Sequence, residues 1–130
     1  MFNFVWNFNK EDFEKCKKQN AGDYVGNVRV GDICFDILQI EYDDSLWIDP
    51  YVGGVDTGYG YGKDNYPYDY VIEIGTSMER DEYENLTYEQ FVEEIETHLT
   101  DNINRKIKYT AENGEVVNLI DKANEPLGVW

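Results

Sequence analysis

The stretch GVDTGYGYGKDNYPYDY, residues 54–70, has glycines and a lysine at a spacing that invites comparison with phosphate-binding loops. A P-loop needs a glycine five residues before its final Gly-Lys pair, and a serine or threonine directly after the lysine. Those two positions are Thr57 and Asp64 in this chain. A dinucleotide fingerprint would need a third glycine where Lys63 stands. The spacing therefore excludes a nucleotide loop of either kind.

Metal-binding patterns are equally weak. His98 is the only histidine, and Cys16 and Cys34 lack the spacing of a zinc site. Aspartates near the loop could hold calcium, but they do not follow the EF-hand spacing; they are Asp43, Asp44, Asp49, Asp56, Asp64 and Asp69. We expect no cofactor, and a small calcium-binding or sugar-binding module stays an alternative.

Candidates for catalysis are few. Nucleophilic catalysis needs a base beside the nucleophile, and His98 is the only histidine that could serve. It lies in a predicted helix beside an apolar stripe, where a packing or surface role is more common. Cys34 lies within an apolar strand, where a thiol is usually inert. With 27 acids in the chain, a suitable pair of carboxylates arises by chance. We expect no enzymatic activity.

The negative charge is concentrated in one segment. The formal net charge is −16, yet residues 32–104 hold 19 acids and two bases, which is net −17, while the remaining residues hold eight acids and nine bases, which is net +1. Such a chain would be repelled by the phosphates of nucleic acid and of anionic membranes. Cationic protein surfaces are the expected partners, although acids that merely coat solvent-facing surfaces would give the same composition.

The elements that must position these residues predict one α+β domain over residues 1–130, with a mainly antiparallel sheet of about six strands. Strands are predicted over residues 2–8, 23–30, 33–42, 46–48 and 70–77, followed by a hairpin over 107–110 and 115–120. A change of phase near Ile37 predicts a β-bulge or a strand that is buried on both faces. Residues 79–84 are predicted to be an acidic link.

Two helices are predicted. Asn9 should cap a short N-terminal helix over residues 10–19, whose thin apolar stripe suggests a surface feature. A long amphipathic helix should begin after Thr87, which forms a capping box with Gln90, and end near Arg105. Its apolar stripe should pack on the sheet; the stripe consists of Phe91, Val92, Ile95, Leu99 and Ile103.

The acids and the loop tyrosines together suggest an interaction surface. Carboxylates on a folded surface can occupy the positions of DNA phosphates, and tyrosines are common interface anchors. We expect the loop over residues 54–70 to be a mobile contact element that orders on its partner. The predicted contact residues are Asp43, Asp44, Asp49, Asp56, Tyr59, Tyr61, Asp64, Tyr66, Tyr68, Glu79, Asp81, Glu82, Glu84, Glu93 and Glu96.

In composition the chain resembles small acidic phage proteins that block host defence nucleases, including anti-CRISPR and anti-restriction proteins. That resemblance implies an inhibitor that mimics nucleic acid and binds a basic nuclease or another nucleic-acid-binding protein. An immunity-type protein that neutralises a basic toxin is the alternative. The N-terminal residues lack the basic and apolar regions of a secretory signal, so we expect a cytoplasmic location, in the host cell if a phage encodes the chain.

Overall fold

The computed structural model describes residues 2–52, 55–56, 74–105, 108–110 and 116–126. The predicted α+β class with a mainly antiparallel sheet is confirmed. In chain order the elements are β1 (Phe4–Asn7), α1 (Lys10–Lys18), β2 (Tyr24–Val30), β3 (Ile33–Gln39), β4 (Leu46–Val52), β5 (Val55–Asp56), β6 (Thr76–Met78), α2 (Arg80–Tyr83), α3 (Tyr88–Arg105), β7 (Lys108–Thr110), β8 (Val116–Asn118) and α4 (Leu119–Asn124).

The main sheet is an antiparallel meander. Strands β1, β2, β3 and β4 lie side by side in that order. The far edge of β4 pairs with β6 along residues 46–48 and with β5 along residues 51–52. The described sheet is therefore five strands wide, a minor difference from the predicted count of about six. Strands β7 and β8 form a separate antiparallel pair.

The turn between β2 and β3 depends on a glycine. Gly31 has a φ of 56°, in the left-handed region that side chains disfavour. A side chain there would also overlap the backbone of α4, because the Asp32 N–H donates to the Lys122 carbonyl at 2.8 Å. The Lys122 ammonium lies 3.5 Å from the Asp32 carboxylate. Gly31 thus lets α4 dock against the end of this hairpin.

The predicted change of phase in β3 near Ile37 is not present, and the irregularity lies in the neighbouring strand. The register of β2 shifts between Tyr24 and Gly26, opposite Ile37, whereas β3 keeps a regular alternation in which every second residue over 33–39 is buried. Gln39, a polar residue, ends this inward row. The predicted strand to residue 42 is too long, since Tyr42 lies in the following turn and is 91% exposed.

Strand β4 was predicted to end before Pro50, and this is wrong. It continues to Val52, with Pro50 opposite Phe35 of β3. Proline lacks the N–H that a sheet ladder uses, so it is confined to places where that donor is not needed. The described pairings on the far edge of β4 are at residues 46–48 and 51–52.

Helix α1 begins as predicted but is more than a surface feature. The Asn9 side chain accepts from the Asp12 N–H, and the Asp12 carboxylate accepts from the Asn9 N–H, each at 2.9 Å. Phe13 and Cys16 are fully buried. The Phe13 ring stacks on Phe91 of α3 with 4.7 Å between centroids, so α1 is part of the core.

Helix α3 supplies the main cover of the sheet. Its predicted capping box is present, because the Thr87 N–H donates to Gln90 Oε1 at 2.9 Å and the Gln90 N–H donates to Thr87 Oγ1 at 3.1 Å. The predicted stripe is buried except for Val92, which is half-buried. Asn102 is an additional buried residue, and its side-chain amide donates to the carbonyls of Ile74 and Gly75.

Two short helices were not predicted. Residues 79–84 include α2, whose Tyr83 is fully buried. The predicted strand at 70–77 is described only as β6, beginning at Thr76, and residues 70–73 lie outside the described residues. The predicted strand at 115–120 ends at Asn118, because α4 begins there with the Asn118 side chain accepting from the Asp121 N–H at 3.1 Å.

Candidate functional site

An open groove of about 550 Å³ lies between α3 and β1. Its apolar surface comes from Phe4 and Val92, and all of its carboxylates belong to α3. None of the described residues that line it is basic. We call this feature the α3–β1 groove; its lining residues are Phe4, Glu89, Val92, Glu93, Glu96, Thr97, Thr100 and Asp101.

The spacing along α3 explains why these carboxylates meet. Glu89, Glu93 and Glu96 follow one another at intervals of four and three residues, so they lie on one side of the helix. The buried stripe at Phe91, Ile95 and residue 99 faces the sheet instead. The acids therefore form the edge of α3 that overlooks β1.

Trp6 of β1 fixes one of these carboxylates. Its indole Nε1–H donates to Glu96 Oε2 at 2.8 Å, and its ring packs edge-on against Phe91 with 6.1 Å between centroids. A carboxylate can accept more than one donor, so this bond leaves acceptor capacity on Glu96. The bond orients Glu96 and ties the groove's helix wall to its strand wall.

The negative potential of this region extends to a neighbouring phenol. Burial raises the pKa of Tyr88, and the negative charges of Asp12, Glu89 and Glu96 raise it further. Tyr88 is the first residue of α3, and its hydroxyl donates to the Phe8 carbonyl. The carboxylates thus act together as a local field rather than as isolated charges.

A second acidic region is organised around Arg80. The Arg80 guanidinium donates to Asp44 Oδ2 at 2.9 Å, lies 3.6 Å from the Glu84 carboxylate, and donates to the Lys17 carbonyl at the end of α1. Asp44 Oδ1 also accepts from Asn20 at 2.7 Å. We call this region, together with Gln39 and Tyr83, the Arg80 corner.

Buried polar groups complete the Arg80 corner. The Tyr83 hydroxyl donates to the Asp44 carbonyl at 2.7 Å. The Gln39 side-chain amide donates to the Cys16 carbonyl at 3.0 Å and to the Tyr83 oxygen at 3.2 Å, while its own oxygen accepts from the Ala21 N–H. These bonds join the end of α1, the turn before β4, and α2.

Other predicted contact acids near this corner also have local partners. Asp43 Oδ1 accepts from the Ser45 hydroxyl at 2.7 Å and from the Ser45 N–H at 3.0 Å, and these bonds lower the pKa of Asp43. Glu82 accepts from the Glu79 N–H at 3.1 Å and so caps α2. Asp81 is exposed at the start of α2.

Asp49 lies on the opposite side of the sheet from α3. In β4, Leu46 and Ile48 face the core, so Asp49 between Ile48 and Pro50 points to the other face. There it stands directly opposite Asp36 of β3, and neither carboxylate is isolated. The predicted contact acids are therefore divided among the α3–β1 groove, the Arg80 corner and the second face of the sheet.

Several predicted contact residues lie outside the described residues. The side chain of Asp56 is among them, although its backbone forms part of β5. The others fall in the predicted contact loop over residues 54–70 and are Tyr59, Tyr61, Asp64, Tyr66 and Tyr68. The hypothesis of a tyrosine contact loop stays a prediction.

Sequence reasoning missed the strand side of the groove. Phe4, Trp6 and Asp101 were not among the predicted contacts, and neither was Glu89. The i, i+4, i+7 spacing of Glu89, Glu93 and Glu96 was a usable signal for the helix wall. No sequence signal pairs Trp6 with a residue 90 positions later.

Other candidate chemistry is weak across the parts of the chain that the structure describes. Burial raises the pKa of the Cys16 and Cys34 thiols to about 11, which disfavours the reactive thiolate. His98 is exposed on α3. Within the described ranges, no three His, Cys, Asp or Glu side chains are grouped to hold a metal ion. No helix there has the length and apolar character to cross a membrane.

No family model, curated protein or solved structure matches this chain.

Proposed function

We propose that this chain is a non-enzymatic acidic protein that binds and blocks a basic nucleic-acid-handling protein. In this role its carboxylates occupy positions that the partner uses for phosphates. The observation that carries the proposal is the α3–β1 groove, where four carboxylates line an open concave surface and the described lining residues include no base. The phage anti-defence type of inhibitor, acting in the host cytoplasm, is the form of this function that we favour.

The charge spacing along α3 supports the proposal. From Glu89 to Asp101 the helix rises by about 18 Å and carries five acids, which is a mean axial interval of about 4.5 Å. One strand of B-DNA carries a phosphate per about 3.4 Å of axis. The two spacings are of the same order along the axis, and four of these five acids line the groove, because Glu94 does not. A partner with a lysine-rich or arginine-rich groove would release its counterions to this helix as it does to DNA.

The test is a competition assay with purified basic nucleases and labelled duplex DNA. We expect the protein to displace DNA from its target and to inhibit cleavage. If four carboxylates behave like phosphates, affinity should fall by at most about 150-fold between 50 and 200 mM salt. A change of less than threefold, or simultaneous binding of protein and DNA, would contradict the proposal. Inhibition without displacement would favour the immunity-type alternative.

A charge-matched pair of variants provides the control. Glu93→Gln removes a carboxylate from the α3–β1 groove, whereas Glu94→Gln removes the adjacent carboxylate, which does not line it. Both changes keep a good helix former in an exposed position. Glu93→Gln should weaken binding more than Glu94→Gln. Equal effects would mean that net charge, and not this groove, carries the interaction.

A further inference from the structure

Strand β1 is an edge of the main sheet. It pairs with β2 along one side, and none of the described residues pairs with its other side. An unpaired edge presents backbone N–H and C=O groups that can accept an additional strand. Phe4 of this strand also lines the α3–β1 groove. Among the described residues, the outer edge of β1 and the acidic groove are therefore parts of one surface.

The side chains of β1 show which way an added strand would face. Trp6 contacts Phe91 and Glu96, so Phe4 and Trp6 point to the side of the sheet that α3 covers. In an added strand, every second side chain would point to the same side. Those side chains would lie beneath the carboxylates of α3, while the residues between them would face away.

We infer that the partner contributes an extended segment with basic residues at alternate positions, which pairs with β1 and lies in the α3–β1 groove. This inference rests on the proposed function and specifies the form of the partner. Charge complementarity selects the occupant, because the lining carboxylates Glu89, Glu93, Glu96 and Asp101 favour cations opposite them.

The dimensions of the two elements agree. Alternate residues of a strand are about 6.8 Å apart, and helix residues four positions apart are separated by about 6 Å along the axis. Three alternate cations would thus span about 14 Å, within the roughly 18 Å between Glu89 and Asp101. Phe4 and Val92 provide apolar contact for the aliphatic stems of lysine or arginine. The segment therefore needs about five residues.

Three synthetic peptides of seven residues test this inference. The first alternates lysine and valine, the second has the same sequence with N-methylated backbone amides, and the third has the same composition with its lysines clustered. Affinity is measured by calorimetry, and hydrogen exchange of the amides of residues 4–7 is followed by NMR. We expect the alternating peptide to bind at least tenfold more tightly than both others and to slow exchange of a β1 amide.

Variants of the protein locate the peptide. Glu93→Gln should lower the affinity for the alternating peptide by threefold to tenfold, and Glu94→Gln should lower it by less than twofold. Equal binding of the N-methylated peptide, with no protection of β1, would overturn strand pairing yet leave the proposed function standing. If no peptide binds while a basic nuclease still binds in competition with DNA, strand pairing is likewise overturned and the proposed function stands. Failure of both peptides and nucleases would overturn both proposals.

A second copy of this chain is the competing occupant of the groove. Sedimentation of the protein alone distinguishes the two. A dimer that dissociates in salt and protects the same β1 amides would overturn the inference of a separate basic segment. We expect the protein to be a monomer at the concentrations at which the peptide saturates it.

Discussion

The α3–β1 groove and the Arg80 corner are both rich in acids, yet their carboxylates have different surroundings. In the groove, the one hydrogen bond to a carboxylate among the described contacts is the bond from Trp6 to Glu96. In the corner, Asp44 accepts from Arg80 and Asn20, and Glu84 lies near the same guanidinium. The carboxylates of the groove thus have no described cation beside them, whereas those of the corner share the Arg80 guanidinium within the fold.

The position of a single base produces this difference. Residues 32–104 contain only two bases, and Arg80 is the one that the structure describes. Its guanidinium has five donors in a fixed fork and reaches acceptors on three elements. Acidic composition alone therefore does not define an interaction surface; the location of the few cations decides which acids remain available.

The largest effect that would distinguish the groove from the corner is the effect of replacing Tyr83 on stability. This side chain is fully buried and donates to the Asp44 carbonyl. Tyr83→Ala should lower the free energy of unfolding by about 3–5 kcal/mol, because it opens a cavity and leaves polar groups unpaired. Urea denaturation measures the change. Tyr83→Phe, which keeps the ring, should cost only about 1 kcal/mol, and a Tyr83→Ala loss below that value would show that the corner is not structural.

The next effect concerns binding through the groove. Glu93→Gln combined with Glu96→Gln should lower the affinity for a basic partner by about tenfold. Each ion pair at an exposed rim contributes up to about 1 kcal/mol to binding. Glutamine retains an acceptor for Trp6, so the unfolding midpoint in urea should stay the same. Titration with the partner at two salt concentrations measures the loss. A lower midpoint with unchanged affinity would reverse the roles that we assign to the two regions.

Asp44→Asn is the corresponding change in the Arg80 corner. Asparagine tolerates the positive φ of 59° at this position but removes the charge that Arg80 contacts. We expect a loss of about 1 kcal/mol in unfolding free energy, because a partly exposed ion pair and a hydrogen bond are weakened. Affinity for a basic partner should change by less than twofold. A larger loss of affinity would place Asp44 in the interaction surface after all.

The smallest effect is the pH dependence contributed by Asp43. Hydrogen bonds from Ser45 lower the pKa of Asp43 below its ordinary value of 3.8. The ionised form therefore stabilises the fold above that value, and this contribution disappears as the pH falls through the lower pKa of the folded state. Thermal melting of the wild type and Asp43→Asn should differ slightly at pH 6 and converge near pH 2. A gap that is constant with pH would exclude this carboxylate as its source.

Local patterns predicted much of the fold. The capping boxes at Asn9 and Thr87 and the apolar stripe of α3 all depend on neighbours within four residues, and the structure contains each of them. The turn between the strands predicted over 23–30 and 33–42 is equally local, and Gly31 adopts a positive φ there. Of the candidate site, Glu93 and Glu96 were among the predicted contact residues, and both lie outside the apolar stripe of α3.

Long-range contacts account for what was missed. Helix α2 is too short for a periodic pattern, and Tyr83 is buried because it meets Gln39 and the turn at Asp44, about 40 positions earlier. The polar Gln39 lies in the core for the same reason. The division of the acids between opposite faces of the sheet likewise follows from strand register, which placed Asp49 away from α3.

The sequence by itself determined the class of fold, the positions of α1 and α3, and the excess of acids in the middle of the chain, because these follow from composition and from contacts within one or two turns. Only the tertiary structure decided which acids face solvent together. That choice depends on where Arg80 and Trp6 come to lie relative to residues far away in the chain, and packing rather than local preference sets those distances.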